Sequence, residues 1–127
     1  MQKLLLIFIG SGVGGLLRYA FSGWVQKAGN GSFPLGTLCV NVSGCLLVGF
    51  FAAALSGRLL WREEYRVALM VGLLGGYTTF STLGLESFAL FNDGQGMRGL
   101  VNLAASVVLG LVAVWAGYRL AENWLGV

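Results

Sequence analysis

Four apolar runs, about Leu4–Val25, Leu35–Leu55, Val67–Phe91 and Leu100–Leu120, take up almost the whole chain. Each reaches the ~20 residues that a helix needs to cross ~30 Å of hydrocarbon. Only 10% of the residues are charged and mean hydropathy is +0.80, against roughly 25% charged in soluble domains. Such a chain lacks the polar surface that a water-exposed fold requires. The fold class is therefore an all-α membrane protein: one domain, residues 1–127, of four transmembrane helices.

The connections carry turn chemistry. Ala28–Pro34 is rich in Gly, Asn and Ser, and Pro34 suits the first position of the next helix, where no donor is missed. Arg58–Arg66 is a charged loop with Trp61 and Tyr65 at interface depth, and Asn92–Gly96 is the third turn. Lys3 followed by Leu4–Ile9 has the look of a signal peptide. However, the segment runs on apolar to Val25 without an A-x-A-like cleavage site, so a retained first helix is expected. Cys39 and Cys45 are separated by about 9 Å of helical rise on nearly opposed faces, which excludes a bond between them and leaves small core residues.

With four spans, Lys3, Arg58, Arg62, Arg66 and Arg119 share one side of the membrane. Lys27 and Arg98 share the other, with Arg18 leaning toward it from inside the first helix. Orientation follows such asymmetry, and here it is shallow. It fits either a modest preference for one orientation or insertion both ways.

Enzymatic chemistry has little to work with. There is no His, Asp93 is the only Asp, and Glu63, Glu64 and Glu122 lie at or beyond helix ends. No catalytic triad or metal-ligand cluster can be assembled, and nothing calls for a nucleic-acid partner. Gly10–Gly15 matches G-x-G-x-x-G after the strand-like Leu4–Ile9, but no acid follows at the dinucleotide-fold spacing. Close packing through Gly10/Gly14, Gly72/Gly76 and Ala113/Gly117 is the better account.

The polar residues within the spans are more specific. Gly75-Gly76-Tyr77-Thr78-Thr79-Phe80-Ser81-Thr82 interrupts the third span with glycines and hydroxyls. Unpaired backbone facing lipid costs several kcal/mol per group, so such a break belongs where protein or a wet cavity covers it. Thr37 and Asn41 stand one turn apart on the second span, Asn102, Ser106 and Gly110 share a face of the fourth, and Ser81, Thr82 and Glu86 follow the break. A broken helix beside aligned polar faces points to a hydrated pathway. Its wall offers amide and hydroxyl donors, Arg18 as the intramembrane cation, and the positive ring edge of Phe80. Glu86 opposes this, and is either solvated near the end of its span or paired with Arg18. The balance favours a small anion, and the small chain implies an oligomer.

These residues resemble the Fluc (CrcB) family of fluoride channels over the length of the chain. The resemblance is carried by Gly10–Arg18, by P-x-G-T-x-x-V-N-x-x-G at Pro34–Gly44, and by G-G-x-T-T-F-S-T at Gly75–Thr82 with Glu86 four residues on. The resemblance implies a multi-pass protein of the bacterial plasma (inner) membrane that exports fluoride. It further implies an antiparallel, dual-topology dimer with two pores and the break at its centre. There, backbone carbonyls of Gly75 and Thr78 would hold a structural Na⁺. Asn41 matches the pore Asn, Ser81 and Thr82 the polar track, and Phe80 the first of two ring-bearing positions. The second is Leu83 here, which cannot offer a ring edge. That departure is natural variation, a substitution, or the mark of one half of a heterodimer with a paralogue. A small multidrug-type exporter, also four helices with dual topology, would need a carboxylate in the first span, where this chain has Arg18 and no acid. A non-transporting structural protein would explain the glycines but not the aligned polar residues.

Overall fold

A computed structural model describes residues 1–56 and 61–126. Arg58 lies outside the described residues. The described residues form only helices and turns: α1 (Gln2–Gly29), α2 (Leu35–Ser56), α3 (Glu63–Val67), a π-helical segment (Ala68–Leu74), α4 (Gly75–Tyr77), α5 (Phe80–Asn92) and α6 (Gly96–Leu125). Four spans are long and apolar enough to cross a membrane, the third running from Glu63 to Asn92 through the break. The predicted spans fall inside these longer helices. Apolar composition marks the hydrocarbon slab, whereas backbone hydrogen bonding continues until a turn residue stops it. Asn30 (φ 47°) ends α1 and Gly126 (φ 64°) ends α6, both left-handed. The charged loop is shorter than expected for the same reason, since Glu63–Arg66 are already helical.

Small residues set the packing. A Cβ on Gly10 would lie 2.9 Å from the Ala68 carbonyl, and one on Gly76 would lie 2.6 Å from that of Ser11. Gly14 sits directly on the Leu73 carbonyl. These contacts seat α1 on the π-helical segment and α4. The largest interface joins α2 to α6, where Gly49 abuts the Val114 backbone and Gly117 that of Leu46. Beside it, Ala53, Ala54 and Ala121 form a buried cluster under Phe50 and Leu125. Lipid tails are as apolar as Leu, so attraction between membrane helices comes from this close backbone approach. Gly10–Gly15 lie wholly within α1, which removes the strand that a dinucleotide site needs.

Two polar contacts mark the ends of the bundle. Lys3 Nζ donates to Glu63 Oε1 at 2.6 Å, placing the chain's start beside that of α3. Arg98 Nη1 donates to Ser32 Oγ at 2.7 Å, tying the start of α6 to the α1–α2 turn. Lys3, Arg62, Arg66 and Arg119 therefore gather at one end and Lys27 and Arg98 at the other.

Candidate functional site

The break is narrower than the sequence suggests. Gly75–Tyr77 keep helical backbone, and only Thr78 (φ −81°, ψ 158°) and Thr79 (φ −150°, ψ 126°) are extended. Preceding it is a feature that periodicity does not signal. Over Ala68–Leu74 the helix widens to π spacing, so that Gly75 N reaches back to Met70 O. Single π turns cluster at functional positions because they insert a residue without ending the helix.

A break leaves up to four N–H and four C=O groups without helical partners on either side, and in low dielectric each unmet group costs about 1–3 kcal/mol. Several side chains meet this demand. Thr79 caps α5, its Oγ1 accepting from Thr82 N at 3.3 Å and donating to Thr82 Oγ1 at 3.1 Å. Asn41 spans the gap from α2: its Nδ2 donates to Thr79 O and its Oδ1 accepts from Thr79 N, both at 2.8 Å. Arg18 Nη1 approaches Thr78 O at 3.4 Å. Thr78 closes the last turn of α4, donating to Leu74 O from both N and Oγ1 at 3.0 Å.

Two cavities meet at Thr79. One of about 320 Å³ is lined by Asn41, Cys45, Thr78, Thr79, Phe80, Leu83 and Ser106. The other, about 200 Å³, is lined by Arg18, Ser22, Thr37, Thr79 and Thr82. Ser106 is among the residues around the larger cavity, with its Oγ buried and without a protein partner. The N-terminal end of α5, the positive end of its dipole, starts at the same cavity.

The predicted residues separate into groups. Asn41, Phe80, Leu83 and Ser106 share the larger cavity, while Arg18 and Thr82 share the smaller. Ser81 is exposed, 3.4 Å from Thr79 Oγ1. Phe80 is 85% exposed on the chain's flank. Asn102, one turn from Ser106, does not join them: it is 1% exposed and donates to Ser87 Oγ at 3.0 Å. Glu86 is not paired with Arg18. Its Oε1 accepts from Thr37 Oγ1 at 2.6 Å and its buried Oε2 has no protein partner.

Sequence reasoning missed the central part of Thr79, although Thr is a favoured N-cap residue at a helix start. It also missed Gln26. From α1, Gln26 Nε2 donates to Gly31 O and Phe33 O at 2.9 and 3.0 Å, and Oε1 accepts from Gly36 N at 3.1 Å. A lone Gln at a helix end carries no signal of that closure. Cys45, expected as core filling, lines the larger cavity. Both cysteines are free.

The donor set suits a hard cation at the break. Thr79 N, which a continuous helix would direct to Gly75 C=O, donates to Asn41 instead, so that carbonyl lacks its helical donor. Gly75 is exposed, and Thr78 C=O carries only the long contact from Arg18. Freed carbonyls at broken helices are the ligands Na⁺ takes in membrane proteins.

The family model described as CrcB-like protein, Camphor Resistance (CrcB), matches residues 5–118. The chain is 44% identical over 122 residues to the fluoride-specific ion channel FluC of Solibacter usitatus, covering 96% of this chain and 100% of that protein. It is 43% identical to the protein of the same name from Rhizobium meliloti, covering 94% of this chain and 96% of the relative. For the one from Chloroflexus aurantiacus the identity is 40%, with 99% of each chain covered.

Proposed function

The chain belongs to the CrcB-like family, and from that premise we propose that it is a fluoride-selective channel that exports fluoride across the bacterial plasma membrane. The observation that carries an anion pathway is the clamped break, with two cavities that share Thr79, one bearing Arg18, Thr37 and Thr82 and the other Asn41 among largely apolar walls. An anion leaving water must exchange its hydration for N–H and O–H donors. Asn41 has a second N–H beyond the one on Thr79 O, and Ser81 and Thr82 carry hydroxyls beside that of Thr79. Arg18 and the start of α5 add positive potential, and the Phe80 ring edge adds a weaker one. That the anion is fluoride is supported by the relatives rather than by cavity size.

Efflux from liposomes containing the purified protein tests this reading: fluoride should leave rapidly and chloride should be retained. Comparable chloride efflux rejects selectivity, and no efflux of either ion, from the chain alone or reconstituted together with a paralogue, rejects the channel. The same assay reads Leu83. Leu fills its place in the cavity wall but supplies no positive rim, a contact worth on the order of 1 kcal/mol. Leu83→Phe should therefore conduct roughly fivefold faster than the chain itself. Equal rates show the second ring to be dispensable. A lone protein that is inactive, and that Leu83→Phe does not revive, favours a heterodimer, in which efflux should return when a paralogue is reconstituted with it.

The active unit in this reading is an antiparallel dimer with its subunits inserted in opposite directions. Both ends of the bundle are basic, so the charge pattern opposes neither orientation. The exposed Phe80 and Gly75 flank is a surface for the second copy. The Gly75 and Thr78 carbonyls of both copies would hold Na⁺, whose charge raises the potential felt by a nearby anion. Single cysteines placed in the α1–α2 turn and at Gly94, in a Cys-free background, should each react partially from either side of the membrane. Labelling confined to one side refutes dual topology.

A further inference from the structure

Thr79 N has two acceptors within reach of the chain's design. In an uninterrupted helix it would donate to Gly75 C=O, joining the π-helical segment, α4 and α5 into one rod. Instead it donates to Asn41 Oδ1 at 2.8 Å, while Asn41 Nδ2 returns a bond to Thr79 O at the same distance. A primary amide has the donor and acceptor of a peptide group, so Asn41 pairs with Thr79 as a neighbouring strand residue would. Geometry this short on both sides, in a part-buried setting, makes the pair strong relative to one helical bond. Gly44, one turn on, is compressed against the Thr78 methyl and Tyr77, so α2 lies close enough for the reach to be unstrained.

We propose that Asn41 is a positioning residue that acts through the Thr79 peptide, taking the N–H that would close the helix on Gly75 and so holding the third span open at the pathway. This deepens the channel reading above but does not depend on which ion passes. Three consequences follow from one side chain. The Gly75 carbonyl is released for a cation. The Thr79 hydroxyl is turned toward Ser81 and Thr82, at 3.4 and 3.1 Å. The larger cavity gains its wall, since Thr78, Thr79 and Phe80 all line it. A donor that merely touched the ion would do none of these.

The chain provides its own reporters, because its threonines are Thr37, Thr78, Thr79 and Thr82. Thr37 and Thr82 are helical, while Thr78 and Thr79 are extended. Threonine-selective ¹³C labelling of the detergent-solubilised protein should give two helical and two extended Cα/Cβ signals. Asn41→Leu keeps the volume and removes both polar atoms. The two extended signals should move into the helical range, Thr37 and Thr82 should stay, and efflux should be lost. Asn41→Asp keeps the acceptor for Thr79 N but has no donor when ionised. Its extended signals should remain at their wild-type positions while efflux is again lost. Extended signals unchanged in Asn41→Leu overturn the proposal, as do signals that turn helical in Asn41→Asp. The second variant carries the test if the first cannot be purified. Because the shifts are read without any transported ion, failure of the positioning role is distinguishable from failure of the fluoride reading.

Discussion

Gly14→Ala is expected to prevent recovery of a stable folded protein, while Gly12→Ala, half a turn away, is expected to be tolerated or mildly stabilising. Both replace a mid-helix glycine with the best helix former, worth up to about 1 kcal/mol in favour of Ala. What separates them lies outside the helix. Nothing approaches within 4 Å of a Cβ on Gly12. A Cβ on Gly14 would be driven into the Leu73 carbonyl and lie 2.8 Å from Tyr77 N. Both obstacles are backbone, so no rotamer change relieves them and the α1 contact must open. Overpacking costs 1–3 kcal/mol where side chains can yield; here the cost should reach about 3 kcal/mol or more. It also falls on the turn that leads into the break. Thermal unfolding followed by size-exclusion chromatography in detergent reads the difference directly. Matching midpoints for the two variants would falsify the view that backbone contact at Gly14 seats α1.

The second large effect is expected at Thr78, where proline should abolish efflux and serine should largely preserve it. The backbone angle is not the obstacle, since φ of −81° lies near what the proline ring accepts. Proline instead removes the N–H that donates to Leu74 O and the hydroxyl that donates to the same carbonyl, both at 3.0 Å. It also presses on Tyr77, which is helical here and would be driven toward extended geometry. Together these losses should reach about 3 kcal/mol, enough to displace the Gly75 and Thr78 carbonyls from a shared cation. Thr78→Ser keeps both donors and loses one methyl packed on Gly44, about 1 kcal/mol. Replacing Na⁺ with a large organic cation should slow efflux through the wild type and through Thr78→Ser. If Thr78→Pro conducts at wild-type rates, or the wild type is indifferent to the replacement, the cation site at the break is wrong.

Much of this protein was legible in its residues because the membrane simplifies the problem. In hydrocarbon the backbone must satisfy itself, so apolar runs of sufficient length can only be helices. The four spans and their all-helical class follow from composition alone. Glycine pairs on the spans likewise announced close packing, and Gly10/Gly14 against Gly72/Gly76 is a contact the structure contains. The helix break was visible as Gly-Gly-Tyr-Thr-Thr, a run of breakers and hydroxyls inside an apolar span, although Gly76 serves packing against Ser11 and only Thr78 and Thr79 leave the helix.

The partners of the polar groups were not legible. Spacing along one helix places Asn102 and Ser106 on a common face, yet Asn102 turns to Ser87 while Ser106 lines the cavity with Asn41. Glu86 and Arg18, the natural ion pair by charge, bond instead to Thr37 and the Thr78 carbonyl. The widened turn over Ala68–Leu74 leaves no mark on hydrophobic periodicity. Hydropathy and helical spacing are properties of one segment and its solvent, and the sequence carries them in full. Which donor meets which acceptor depends on how two helices are rotated and shifted against each other. That is set by close approach at Gly14 and Gly117, which meet backbone, and at Gly44, which meets the Thr78 and Tyr77 side chains, and these contacts exist only once the spans have packed.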